Sequence, residues 1–205
     1  MPAGRGGRHV RLRLLLAILG VVLALGMPWA RAQESPGPQV HFATGLAFPA
    51  EIGDARLARW NDYGQSAGRP ELGFSYHYAI PRRLVATIYV YNLNQRIPDG
   101  TDHPVVAAQF QQAWGDIENV ARSGRYRDLQ RLDGPEICRY RTLALRCAAF
   151  RAVVAASGQP VFGRVMVTGY RAHFVKVRLD WGRDAIDTAS VDRFVDALIA
   201  AMVKP

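Results

Sequence analysis

Near the C-terminal end of this chain two periodicities follow one another, and together they leave few folds open. Residues 173–181 alternate, with Val175, Val177 and Leu179 set against Lys176, Arg178 and Asp180, which is the period of a strand buried on one side. From about Thr188 the period becomes that of a helix: Val191, Phe194, Val195, Leu198, Ile199 and Met202 recur at three- and four-residue spacing as one apolar stripe. A strand with an apolar face and a helix with an apolar stripe must each bury that side, which commits the chain to layers of sheet and helix.

The same two patterns recur upstream. Residues 73–80 place Phe74, Tyr76, Tyr78 and Ile80 on one face and Ser75 and His77 on the other. After a turn at Pro81-Arg82-Arg83, residues 84–91 alternate Ala86, Ile88 and Val90 with Thr87, Tyr89 and Tyr91. This predicts an antiparallel pair, preceded by a short first strand over 56–63. A helix follows, with Asp99-Gly100-Thr101-Asp102 as turn and cap, Pro104 in the first turn, and a stripe of Val106, Phe110, Ala113, Trp114, Ile117 and Val120 that Gly124 closes. Further strands are expected over 126–132 and 136–140, then a hairpin of 145–155 and 161–171 turning at Ser157-Gly158-Gln159-Pro160. The fold class is α+β: an antiparallel sheet packed against two amphipathic helices, with the inward face of the sheet as the core. Residues 33–45 are expected to be a flexible leader, because Pro36, Gly37 and Pro38 oppose regular structure, and residues 46–205 one domain.

The order β-β-α-β-β-β-α has Leu46-Ala47-Phe48-Pro49 at its opening, Ala86-Thr87-Ile88-Tyr89-Val90-Tyr91 in an early strand and Gly169-Tyr170-Arg171-Ala172-His173-Phe174-Val175-Lys176-Val177-Arg178 near its end. In this the chain resembles uncharacterised exported bacterial proteins whose architecture is similar to the Mog1/PsbP-like αβα sandwich, over about residues 46–203. The resemblance implies a fold. Members of that fold group act as accessory or binding proteins without a shared catalytic constellation, so it assigns no functional residue.

The N-terminal residues predict an address. Arg5, Arg8, Arg11 and Arg13 lead into an uncharged apolar run over 14–25, then Gly26, Pro28 and Ala30-Arg31-Ala32. This is the order of a signal peptide, residues 1–32, cleaved so that the mature chain begins near Gln33. A retained transmembrane anchor competes, but it needs about 20 apolar residues and Pro28 interrupts the run. The expected location is secreted, or periplasmic in a Gram-negative source.

Export changes how charge and cysteines read. The chain has 26 Lys and Arg against 17 Asp and Glu, but residues 1–32 hold five of the arginines and no acid, which leaves a net charge of +4. No basic stripe or nucleic-acid module is present, and a nucleic-acid partner is not expected. Cys138 and Cys147 are the only cysteines, and in an oxidising compartment they are expected to bridge across a hairpin.

The residues for catalysis are sparse. G-x-S-x-G, H-E-x-x-H, C-x-x-C and Gly-rich phosphate loops are all missing, so neither cofactor nor metal is expected. Thr101-Asp102-His103 is the one tight acid–histidine pair, and capping accounts for Asp102. The functional expectation is a non-enzymatic exported accessory or binding protein of the cell envelope, whose partner is a protein or small ligand. Its candidate contact residues are Tyr89, Tyr91, Arg164, Tyr170, Lys176 and Arg178, since Tyr and Arg are enriched at interface hot spots. The alternative is a small hydrolase or isomerase using His77 or His173 with a carboxylate.

Overall fold

A computed structural model describes residues 36–203 apart from 142 and 183–185; the expected signal peptide lies outside the described residues. Two short strands come first, β1 (Gln39–His41) and β2 (Leu46–Phe48), paired as a ribbon. Then follow β3 (Glu51–Ile52), β4 (Ala55–Asp62), the short helix α1 (Tyr63–Ala67), a 3-10 turn at Pro70–Leu72, β5 (Phe74–Ile80) and β6 (Leu84–Tyr91). The long helix α2 (Pro104–Arg122) leads to β7 (Tyr126–Arg131), β8 (Glu136–Tyr140), β9 (Leu143–Val154), β10 (Pro160–Tyr170), β11 (His173–Gly182) and α3 (Thr188–Met202). Strands β3 to β11 form one antiparallel sheet in the order β3-β4-β5-β6-β11-β10-β9-β7, with β8 also on β9. The fold is thus α+β with a large antiparallel sheet, as the periodicities predict.

Both striped helices bury the predicted side chains. α2 buries Val106, Phe110, Ala113, Trp114, Ile117 and Val120, and α3 buries Val191, Phe194, Val195, Leu198, Ile199 and Met202. The caps hold one difference from the sequence reading: His103, and not Asp102, caps α2, its Nδ1 accepting the Val105 N–H at 3.2 Å. Asp102 instead accepts from the Thr101 hydroxyl.

A single inward core does not describe the sheet. Successive side chains of a strand point to opposite faces, and the helices occupy one face each. α3 packs with Tyr76, Ile88, Val90, Met166, Val175, Val177 and Leu179. α2 packs with Tyr91, Phe150, Val165, Val167 and Phe174 from the opposite parity. The fold also starts earlier than residue 46: β1 pairs with β2 across His41–Leu46, and Phe48 stacks on Tyr76 with ring centroids 3.6 Å apart. That burial holds a segment whose sequence alone reads as a leader.

Cys138 and Cys147 form a disulfide with Cα atoms 6.0 Å apart. They are diagonal neighbours on the β8–β9 pair, where Glu136 lies opposite Cys147 and Leu145 opposite Cys138. Replacing both by alanine is expected to cost about 2 to 3 kcal/mol, the loop-closure entropy of so short a loop. Urea unfolding checks this, and a variant as stable as the parent would mean that β8 is held by its contacts alone.

Candidate functional site

On the α2 face the helix covers only part of the sheet. It packs on β10, β9 and β7, and Val85, which projects on this face from β6, is 50% exposed. Two transverse rows of side chains cross the barer half, fixed by the strand register. One runs Arg59, His77, Thr87 and Arg178 across β4, β5, β6 and β11; the other runs Asn61, Ser75, Tyr89 and Lys176.

The rows are knitted by hydrogen bonds. The His77 ring is held between two hydroxyls, Ser75 Oγ at 3.1 Å from Nε2 and Thr87 Oγ1 at 3.2 Å from Nδ1, and the Tyr63 hydroxyl lies 3.3 Å from Ser75 Oγ. Burial, reinforced by the Arg59 charge, lowers the His77 pKa to about 4. The ring is therefore neutral at physiological pH.

Lys176 and Arg178 close the site against α2. The Lys176 ammonium sits 4.5 Å from the Tyr89 ring centroid and 5.9 Å from that of Tyr91, within cation–π range. Its carboxylate neighbour Asp116, on α2, is 3.9 Å away. Burial lowers the Lys176 pKa, and Arg178 adds to the effect against the pull of Asp116. Arg178 makes a two-pronged contact with Asp180, at 2.9 and 3.2 Å, and donates to the Tyr126 hydroxyl at 3.2 Å. Burial opposes its charge, but Asp180 outweighs burial and raises the pKa. Burial also pushes Tyr89 up to about 12. The Tyr91 hydroxyl, beneath α2, is the one buried side-chain polar atom among the described residues without a hydrogen bond of good geometry.

The six residues singled out from sequence thus divide. Tyr89, Tyr91, Lys176 and Arg178 share the α2 face, while Arg164 and Tyr170 have the opposite parity on β10 and face α3. Arg164 donates to the Tyr140 hydroxyl at 2.6 Å and to Asp192 at 2.5 Å. It borders an open depression of about 470 Å³ lined by Tyr140, Arg141, Asp192, Arg193 and Asp196. The Tyr170 ring packs under the Arg171 guanidinium.

His77 and His173 do not meet, because they lie on opposite faces. His173 contacts His41 edge-on with ring centroids 5.2 Å apart, and its Nδ1 donates to the Arg171 carbonyl at 2.9 Å. Among the described residues neither His77 nor His173 is hydrogen-bonded or ion-paired to a carboxylate. Ser75, next to His77, is fully buried, so its hydroxyl is closed to a substrate. Glu136, Cys138 and Cys147 are the described group with ligand atoms close enough for a metal, and both sulfurs are spent in the disulfide. Sequence reasoning passed over Ser75, Thr87, Tyr63 and Arg59 as partners; parity put Ser75 beside His77, but strand register is what joins them to Thr87.

Comparison with known proteins gives little beyond this. No family model matches the chain, and no curated protein matches it. Among solved structures it is similar to the Ran-binding protein Mog1p of Saccharomyces cerevisiae, at 13% identity and a TM-score of 0.34, over 73% of this chain and 87% of that one. The likeness to the Mog1/PsbP-like fold is therefore weak and at the level of fold, and it bears no weight for function.

Proposed function

We propose that the chain is an exported, non-enzymatic accessory or binding protein of the cell envelope, and that it meets a protein or small-ligand partner on the barer half of the α2 face. The observation that carries this reading is the set of side chains on that half: Arg59 on β4 and Val85 on β6 exposed, with Tyr89 on β6 and Lys176 and Arg178 on the adjoining β11 held in fixed positions. Fixed aromatic and cationic groups next to an exposed apolar residue suit recognition, because little side-chain entropy is lost when a partner arrives. A neutral His77 bonded to hydroxyls, beside a buried Ser75, suits positioning better than proton transfer. The cationic and apolar order of residues 1–32 supports export.

Two surface substitutions test the reading. Arg59→Glu and Val85→Arg alter exposed side chains, so folding should be unaffected, and recovery of the native partner by co-purification is expected to fall about tenfold or more, as for an interface hot spot. Ile137→Arg, on β8 at the opposite edge of the sheet from β4 and also exposed, serves as the control and should leave recovery unchanged. Equal recovery with all three variants would rule out this face.

A further inference from the structure

The β1–β2 ribbon carries a feature that the recognition face does not use. Phe42, at the tip of its turn, is 99% exposed, and Val40 on the same outer side is 66% exposed. Scattered exposed apolar residues are ordinary, but this one is displayed on a turn whose base is tied down by hydrogen bonds. The Thr44 and Gly45 N–H groups donate to the His41 carbonyl at 3.2 and 2.8 Å. The Thr44 hydroxyl lies 2.8 Å from His41 Nδ1 and accepts the Leu46 N–H at 3.3 Å, while the Thr44 carbonyl accepts from the Arg171 guanidinium at 2.8 Å. Arg171 itself stands in the two-residue turn between β10 and β11, where it and Ala172 both adopt positive φ, 46° and 64°.

The ribbon is also free of charge. Residues 39–50 contain no Lys, Arg, Asp or Glu. His41, their one basic side chain, is buried, and burial with the nearby His173 lowers its pKa to about 4. Beneath the ribbon, His41 contacts Phe74, which in turn contacts Trp60. Trp60 is partly exposed, and an indole with one wet edge suits a membrane–water boundary.

We propose that the β1–β2 turn is a lipid-binding wedge, in which Phe42 and Val40 enter the acyl boundary of an anionic membrane surface and Arg171 faces the lipid phosphates. Three observations select lipid as the occupant. The ribbon has no charge to desolvate, which is the main cost of entering the boundary. Two N–H groups of its turn, those of Thr44 and Gly45, are satisfied internally, which lowers the cost for a segment leaving water. The exposed Arg171 at its base supplies the cation that an anionic headgroup attracts. The chain direction agrees, and here the inference rests on the proposed export: β1 begins only 14 residues after the apolar run that ends at Leu25, so the ribbon is the part of the fold nearest in sequence to the segment that would meet the membrane. One phenylalanine and one valine give weak, reversible and salt-sensitive attachment.

The test uses the protein recovered from outside the cytoplasm of cells expressing the full sequence, sedimented with vesicles of phosphatidylcholine with or without phosphatidylglycerol. Binding to the anionic vesicles is expected to weaken about tenfold or more in Phe42→Ser, from the lost burial of the ring, and to fall as salt rises. Phe42→Trp should add emission that shifts to the blue when anionic vesicles are present, which reports the tip itself whatever else of the chain touches lipid. Unchanged binding by Phe42→Ser, or added emission that stays that of an indole in water, would overturn the proposal. Loss of a protein partner by Phe42→Ser without any vesicle effect would also overturn it, by assigning the turn to a pocket on that partner.

Discussion

Gly73→Ala is expected to destabilise the protein by about 4 kcal/mol or more, the range reached when strain and overpacking coincide. Gly73 precedes β5 with φ 62° and ψ −129°, a backbone conformation that belongs to glycine. A Cβ there would collide with the Val90 carbonyl oxygen and lie 2.8 Å from Tyr91 Cα. Both are backbone atoms of β6, which is paired on one side to β5 and on the other to β11, so neither can yield without moving the centre of the sheet. Phe74 and Ser75 follow directly, and the His77 hydroxyl chain would shift with them. Gly115→Ala is the matched control. Its added Cβ meets nothing within 4 Å, and it lies inside α2, where alanine is favoured over glycine by about 1 kcal/mol. Thermal unfolding should therefore show a fall of roughly 10 °C for the first variant and no fall for the second. Equal melting temperatures would mean that the β5–β6 pair is not held as described.

Acid is expected to remove a comparable amount of stability, in a loss that begins well above the pH at which carboxylates titrate. His41 and His77 both have folded-state pKa values of about 4 against an ordinary 6.5, chiefly through burial. A histidine with a depressed folded pKa binds its proton more readily once unfolded. Its contribution is therefore intact above pH 6.5 and is lost progressively as pH falls from 6.5 to about 4. Each ring accounts for at most about 3 kcal/mol over that window, from the conversion of pKa difference to free energy, and solvent screening of the partly exposed His77 reduces its share. The groups behind the shifts differ, with His173 beside His41 and Arg59 beside His77, on opposite faces of the sheet. Urea midpoints measured from pH 7.5 to 4 should fall steeply below pH 6.5, and NMR titration should show both imidazoles still neutral at pH 5. A flat profile, or rings titrating near 6.5, would contradict the burial assigned to them.

Much of the fold is legible in the sequence because it is written in strict periods. The stripes of α2 and α3 name every residue those helices bury, and the alternation over 173–181 separates Lys176 and Arg178 from Val175 and Val177. The ribbon was not legible: its strands are three residues each, too short to show a period, and the prolines before them signal disorder. What makes them strands is tertiary, the stacking of Phe48 on Tyr76 and the burial of His41. The site was legible within strands but not between them. Parity places Tyr89 with Tyr91, and Lys176 with Arg178, yet nothing in a single sequence fixes how β10 registers on β11, so Arg164 and Tyr170 were grouped with residues of the other face. The pairing of His77 with Ser75 and Thr87, and of His173 with His41, rests on the same register and on the ribbon.

The claim on which the functional reading turns is that the half of the sheet beside α2 is where a partner sits. A photo-activatable amino acid placed at Val85, and another at Ile137 at the opposite edge of the sheet, would read this directly in living cells that express the full sequence. Position 85 is expected to cross-link to a discrete partner or to lose its cross-link when the ligand is withdrawn, while position 137 stays unlinked. Cross-linking at 137 with none at 85 would contradict the account.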